Sequence, residues 1–85
     1  MAHVVVYSGE KCPYCLRAKL LLDKKGVRYA EYDVRADPAR LEEMLAKSGG
    51  QQTIPQIFIG GQHIGGCNDL YALEKAGRLD ALLED

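Results

Sequence analysis

Two cysteines with two residues between them stand at the point where a strand pattern gives way to a helix pattern, and this placement limits the fold more than any other feature of the chain. Residues 4–7 form a β-branched run typical of a buried strand, and a short polar segment leads from it to Cys12 and Cys15. Pro13 suits the first turn of a helix, because its missing N–H needs no partner there. The pattern therefore predicts a strand followed by a helix over residues 13–25, with the cysteine pair at the start of that helix.

The middle of the chain repeats this alternation. Tyrosine and valine alternate with polar residues over 27–34, which indicates an extended segment. Asp37 and Pro38 are typical of an N-cap and a first helical turn, and an apolar stripe follows them as far as Gly49. We expect a second strand and a second helix here.

The last third predicts a hairpin and two helices. Residues 57–59 and 62–64 have the pattern of two strands joined by two glycines, which indicates an antiparallel hairpin. Leucines at helical spacing then continue to a stop at Gly77, and further leucines indicate a short closing helix. The order β-α-β-α-β-β-α with a short final helix predicts an α/β fold whose first two strands are parallel.

Length and composition limit the class of protein. A chain of 85 residues, 47% hydrophobic and 27% charged, is typical of one small globular domain, here residues 1–85. A net charge of -1 gives no general attraction to nucleic acid or to anionic membranes. No apolar stretch approaches membrane-spanning length. We expect a monomer that binds neither nucleic acid nor membrane.

The cysteine content and the first residues bear on the compartment. Residues 1–3 lead directly into the first strand pattern, without a charged leader, a long apolar run or a cleavage site. Three cysteines are an odd number and too few for the disulfide framework of a secreted domain. We therefore expect a cytoplasmic protein in which the pair cycles between thiols and a disulfide.

The two paired cysteines have different surroundings. Cys12 lies at the helix tip, where unpaired N–H groups and the positive end of the helix dipole favour a thiolate, and Lys11 adds a positive charge. Cys15 shares a helix face with Ala18 and Leu22 and should be shielded. We predict that Cys12 is the nucleophile and Cys15 the resolving thiol.

The same spacing also occurs in structural pairs and zinc sites. A zinc site would need two further ligands, and the candidates His3, His63 and Cys67 form no second ligand pair of the usual spacing. We expect no metal here. Both histidines are expected to be ordinary strand-end residues, and Cys67 a small buried residue without a catalytic role.

Two further segments could contact a ligand. Thr53, Ile54 and Pro55 precede the hairpin, where the backbone could pair with a peptide-like ligand, although most X–Pro bonds are trans. Gly65-Gly66-Cys67-Asn68-Asp69 precedes a helix whose free N–H groups could hold a carboxylate, while Asp69 could attract an ammonium group. The alternative interpretation is an ordinary tight turn in which Asn68 or Asp69 caps the helix.

Taken together and in this order, these three motifs resemble those of the dithiol class of glutaredoxins, and most closely its bacterial members. They are Cys12-Pro13-Tyr14-Cys15, Thr53-Ile54-Pro55 and Gly65-Gly66-Cys67-Asn68-Asp69. The resemblance covers essentially the whole chain. It implies a thioredoxin-like fold, a mixed four-stranded sheet flanked by helices, with a cis bond before Pro55.

The resemblance also implies a ligand, glutathione, whose γ-glutamyl end carries both an amine and a carboxylate. By position, Tyr14 would line the thiol groove, and Thr53 and Ile54 would pair with the glutathione backbone. Gly9 departs from the family, which usually has a lysine there, and Lys11 stands in its place as the nearby charge. The implied glutathione-binding set is Lys11, Tyr14, Thr53, Ile54, Pro55, Gly66, Cys67, Asn68 and Asp69.

The activity that the resemblance implies is glutathione-dependent thiol–disulfide exchange. Glutathione would be the electron-donating cosubstrate, no cofactor would be bound, and the partners would be glutathionylated or disulfide-containing proteins, with ribonucleotide reductase among the candidates. Two alternatives remain open at this stage. One is a redoxin recharged by a flavoprotein reductase, and the other is a module that binds zinc or an iron–sulfur cluster.

Overall fold

The computed structural model describes residues 2–84, which form one mixed sheet and the helices that flank it. The elements in chain order are β1 (Val4–Ser8), α1 (Pro13–Lys24), β2 (Ala30–Asp33), α2 (Pro38–Lys47), β3 (Gln56–Ile59), β4 (Gln62–Gly65), α3 (Cys67–Lys75) and α4 (Leu79–Glu84). This is the order that the residue pattern predicts.

The four strands lie in the order β2-β1-β3-β4. Strand β1 is parallel to β2 and antiparallel to β3, and β3 is antiparallel to β4. The predicted parallel pair and the predicted hairpin are both confirmed. The hairpin register shifts by one residue at its end, because Phe58 lies opposite His63 whereas Ile57 lies opposite Gly65. Residue 64 is thus an extra residue in β4, a β-bulge.

Alternation along the strands gives the sheet two apolar faces. On one face Val6 of β1 and Ile57 of β3 pack with leucines of α1, α3 and α4. On the other face Tyr7 and Phe58 pack with Met44 of α2 in a smaller cluster. The sheet is therefore covered on both sides, and the site lies where strand ends, loops and helix starts meet.

The helix boundaries follow the predicted signals closely. Helix α1 begins at Pro13 with Cys12 as its N-cap, and it ends at Lys24, one residue before the predicted end. The side chain of Asp37 caps α2 by accepting a hydrogen bond from the Ala39 N–H at 3.1 Å. The alternative in which Asn68 or Asp69 caps the third helix holds only in part. Helix α3 begins at Cys67 with Gly66 as its N-cap, and the Asp69 carboxylate supports this start by accepting a hydrogen bond from the Gly66 N–H.

Candidate functional site

The cysteine pair lies at the N-terminus of α1, as predicted. The backbone of Cys12 is still extended, with φ -118° and ψ 99°, and its Sγ accepts a hydrogen bond from the Cys15 N–H at 3.2 Å. Cys12 is partly exposed, whereas Cys15 is only 1% exposed, and the two are joined by a disulfide. The sulfur at the helix tip is therefore the accessible one, and the other is shielded by the core.

Residues 53–55 run past this sulfur. The Ile54–Pro55 peptide bond is cis, which confirms what the resemblance implies and departs from the usual trans form. The carbonyl oxygen of Ile54 lies 3.9 Å from the Cys12 Sγ. Thr53 is exposed and Ile54 half-buried, so their backbone is accessible next to the reactive sulfur.

The glycine turn supplies the opposite wall. Gly65 has φ +116°, which L side chains rarely adopt, and Gly66 caps α3. The carboxylate of Asp69 accepts a hydrogen bond from the Gly66 N–H at 2.8 Å. Asn68 is exposed in the first turn and is not the cap. The turn thus combines free N–H groups at a helix start with one fixed carboxylate.

Cys67 is buried, as predicted. It is 3% exposed, and burial raises the pKa of its thiol, while Arg17 acts in the opposite direction. Its side chain lies in the core cluster formed with α1 and β1. Any contact between residue 67 and a ligand would therefore come from its backbone.

These segments enclose one open cleft of about 520 Å³. The side walls bring together eight residues of the predicted glutathione-binding set: Tyr14, Thr53, Ile54, Pro55, Gly66, Cys67, Asn68 and Asp69. Tyr14 is 52% exposed, and the guanidinium of Arg17 lies 5.8 Å from its ring centroid. The cleft also includes Gln56 and His63, two residues to which the sequence pattern assigned no role.

Lys11 is the one predicted binding residue that does not line this cleft. It lines a separate depression with Glu10, Asp33, Arg35 and Ala36. Its backbone has φ +53°. Lys11 therefore lies outside the cleft that the other eight predicted residues line.

Arg35 is a second cation that the sequence pattern did not single out. Its guanidinium donates a hydrogen bond to the Glu10 carbonyl, and its aliphatic chain crosses Gly9. A Cβ on residue 9 would lie 2.7 Å from the Arg35 Cδ. The space next to Gly9 is therefore filled by an arginine from the loop after β2.

Within residues 2–84 no group of three or more His, Cys, Asp or Glu side chains converges as metal ligands do. No helix in that range is long and apolar enough to cross a membrane.

A mixed sheet of this strand order, with an oxidised Cys-x-x-Cys pair at a helix start facing a cis-proline segment, defines a thioredoxin-fold thiol–disulfide oxidoreductase. Comparison with known proteins identifies the family within this class. The sequence model of the glutaredoxin family matches residues 4–64. The chain belongs to the glutaredoxin family.

Two curated relatives and one solved structure illustrate the similarity. Glutaredoxin 3 of Escherichia coli strain K12 is 55% identical over 84 residues, which cover 99% of this chain and 100% of the relative. A glutaredoxin of Pseudomonas aeruginosa is 53% identical over 98% of both chains. The crystal structure of a buckwheat glutaredoxin–glutathione complex has a TM-score of 0.87 and 36% identity, covering 98% of this chain and 77% of that chain. The thioredoxin-like fold and the bacterial resemblance are both confirmed.

Proposed function

We propose that this glutaredoxin uses glutathione to reduce glutathionylated proteins and protein disulfides. One observation carries the proposal: the accessible Cys12 sulfur lies next to a cleft walled by the backbone of residues 53–55 and the N-terminus of α3. A peptide ligand could pair with the first wall while its charged end meets the second. The buckwheat relative of the same fold was solved as a complex with glutathione, which supports this choice of ligand.

Cys12 is the attacking group in the proposed reaction. The helix N-terminus and the Cys15 N–H stabilise negative charge on the Cys12 sulfur. The Cys12 thiolate attacks the glutathione sulfur of a mixed disulfide, the substrate S–S bond breaks, and the client protein leaves as a thiolate that takes up a proton. Glutathione is now held on Cys12 as a new disulfide.

A second glutathione completes this cycle. Its thiolate attacks the sulfur of the glutathione bound to Cys12, Cys12 leaves as a thiolate, and glutathione disulfide is released. The net change is the conversion of one mixed disulfide and one glutathione thiol to one protein thiol and one glutathione disulfide. Cys15 is not needed in this route.

Cys15 acts when the substrate is a protein disulfide. Attack by Cys12 gives a disulfide between the enzyme and the client, and the Cys15 thiolate then attacks the Cys12 sulfur and releases the reduced client. The product is the Cys12–Cys15 disulfide, the state that the structure holds. Two molecules of glutathione return this disulfide to two thiols.

Glutathione binding is assigned to the cleft residues by role. Thr53 and Ile54 would pair with the glutathione main chain next to Pro55, and Tyr14 would border the sulfur. The N–H groups at Cys67 and Asn68 would hold the γ-glutamyl carboxylate, and Asp69 its ammonium group. Gly66, whose N–H already donates to Asp69, would border this end of the ligand. Lys11, which lines a separate depression, would act on a part of the ligand that extends out of the cleft.

Composition suggests where this reaction takes place. We infer that residues 1–85 act as a single-domain monomer. We place the protein in the cytoplasm because an odd, small number of cysteines suits a reducing compartment. Clients carry glutathionylated cysteines or disulfides, and ribonucleotide reductase is one candidate. No resident cofactor takes part in the proposed steps.

Turnover of a small glutathione mixed disulfide, coupled to glutathione reductase, tests the proposal. We expect turnover by the natural chain and by Cys15→Ser, and none by Cys12→Ser. With a protein disulfide as substrate, Cys15→Ser should lose most of its activity. No turnover by the folded natural chain would refute the dependence on glutathione, and a flavoprotein reductase should then be tried as the electron donor.

A further inference from the structure

Gln56 is a buried amide that connects two parts of the cleft. It follows Pro55 directly, lies opposite Tyr7 in the sheet and is 2% exposed. Its Nε2 donates to the Thr53 carbonyl at 3.0 Å and lies 3.2 Å from the Thr53 Oγ1, while its Oε1 lies 2.6 Å from the Nε2 of His63. All the hydrogen-bonding groups of this side chain are directed at these two residues.

The chemistry of Thr53 fixes the direction of this chain of hydrogen bonds. A backbone carbonyl only accepts, so the amide nitrogen of Gln56 must face Thr53. The amide oxygen then faces His63, and His63 must donate from its Nε2. The ring of His63 is also held by Phe58, with 4.9 Å between ring centroids and 32° between ring planes. His63 therefore orients Gln56, and Gln56 holds Thr53.

The segment that contains Thr53 is tied at its other end as well. Ser48, at the end of α2, accepts a hydrogen bond from the Gln51 N–H at 3.1 Å. Between these ties lies the exposed backbone that we assign to glutathione. A buried amide left without partners is costly, so the Gln56 bonds strongly favour a single conformation of residue 53.

We propose that Gln56 and His63 are positioning residues that hold Thr53 and Ile54 in the conformation that receives the main chain of glutathione. The inference rests on the proposed function, since it assumes that residues 53 and 54 bind this ligand. Neither side chain reacts. They act through Thr53, and their removal should weaken the binding of substrate and of transition state alike.

Such a role predicts a KM effect. In the mixed-disulfide assay, Gln56→Met keeps the volume but loses both bonds, and its KM for the mixed disulfide should rise about tenfold with kcat within about twofold. His63→Leu should raise KM in the same direction. His63→Gln places a donor near the position of Nε2 and should restore a KM within about twofold of the natural value.

Two controls separate positioning from stability. Leu83→Val shortens a buried side chain in α4, which lines no part of the cleft, so it should lower the melting temperature without changing KM. His63 is exposed, so its variants should stay folded even if Gln56→Met does not. Nitrogen-15 NMR of the natural chain should show the proton of neutral His63 on Nε2, a measurement that needs no turnover.

The outcomes separate the positioning role of Gln56 and His63 from the proposed glutathione-dependent activity. Turnover by the natural chain together with an unchanged KM in Gln56→Met and His63→Leu would overturn the positioning role alone. A proton on Nδ1 of neutral His63 would overturn the direction of the hydrogen-bond chain. A natural chain without glutathione-dependent turnover would instead overturn the proposed function on which this inference rests.

Discussion

Gly65 is the position where one added methyl group should most disturb the cleft. Its φ of +116° is rarely adopted by L side chains, and a Cβ there would lie 2.8 Å from the Asp69 Cγ and 3.2 Å from the Asp69 Cβ. The carboxylate of Asp69 would have to leave the Gly66 N–H that it now accepts from at 2.8 Å. Gly65→Ala therefore combines backbone strain with the loss of the bond that ties residue 69 to the start of α3.

The size of the effect follows from these two terms. Backbone strain at such a φ costs about 1–3 kcal/mol, and the lost hydrogen bond adds about 1 kcal/mol because the site is exposed. The free energy of unfolding should fall by about 3 kcal/mol in total, and for a domain of this size that lowers Tm by roughly 12–24 °C. If Asp69 binds the ammonium group of glutathione, the KM for the mixed disulfide should rise as well.

Thermal unfolding of four variants, Gly65→Ala, Gly77→Ala, Asp69→Ala and the Gly65→Ala/Asp69→Ala double variant, separates the two contributions. Gly77→Ala has φ +73° and no atom within 4 Å of the added Cβ, so it reports backbone strain alone, about 1 kcal/mol. In the double variant with Asp69→Ala, the added methyl group no longer meets a carboxylate. Gly65→Ala should therefore cost less on the Asp69→Ala background than on the natural one.

The same variants can show that the contact between residue 65 and Asp69 contributes nothing to stability. If Gly65→Ala lowers the free energy of unfolding no more than Gly77→Ala does, the contact with Asp69 has no energetic weight. Equal effects of Gly65→Ala on both backgrounds would mean that backbone strain accounts for the whole loss. If Gly65→Ala raised the KM for the mixed disulfide without lowering the free energy of unfolding, the coupling between the turn and the start of α3 would be contradicted.

Three further predictions concern Gly9, the Lys19–Glu31 ion pair and the buried Cys67 thiol. Gly9→Lys should displace the exposed arm of Arg35 and cost only about 0.5 kcal/mol, which thermal unfolding would show; a loss above about 2 kcal/mol would contradict this. Lys19 holds the pKa of the Glu31 carboxyl below its ordinary value of 4.5, so stability from this group is present above that pH and is lost as pH falls through the lower folded value. Glu31→Gln should accordingly flatten the fall of Tm in acid, and an unchanged profile would refute the contribution. In the reduced, folded chain, iodoacetamide should leave Cys67 unmodified until denaturant is added, as mass spectrometry of peptides would show, because the thiol is buried and its pKa is raised.

Most of the fold could be predicted because each element carries its own signal. The valine run of β1, the apolar stripe of α1 and the Asp37–Pro38 start of α2 are local patterns that need no knowledge of the rest of the chain. Glycines at the turns mark where the chain reverses. The end of β4 was not predictable in this way, because the bulge at residue 64 depends on how two strands meet.

The residues of the cleft that belong to short sequence motifs could be predicted. Residues that matter because of a contact with a distant part of the chain could not. Cys12, Pro55 and Asp69 are found from short motifs. The role of Arg35 is not predicted, because nothing in its local sequence shows that its side chain crosses Gly9, 26 residues earlier in the chain. Lys11 was assigned to the ligand by its place next to Cys12, and the structure puts it outside the cleft that the other residues line.

The pair of Gln56 and His63 shows most clearly what a local pattern leaves out. Both residues read as polar positions on strands with apolar neighbours, and such positions usually face solvent. Their partnership depends on two features of the folded chain: the turn over residues 53–56, in which the Gln56 amide donates to the Thr53 carbonyl, and the hairpin register, which places His63 opposite Phe58. Because a buried amide must satisfy both its donor and its acceptor, the identity of residue 56 constrains residue 63 and the backbone at residue 53 together. A change at residue 56 or 63 should therefore alter the conformation of the other residue and of the backbone at residue 53. Double-variant cycles for residues 56 and 63 should show that their effects on KM are strongly non-additive.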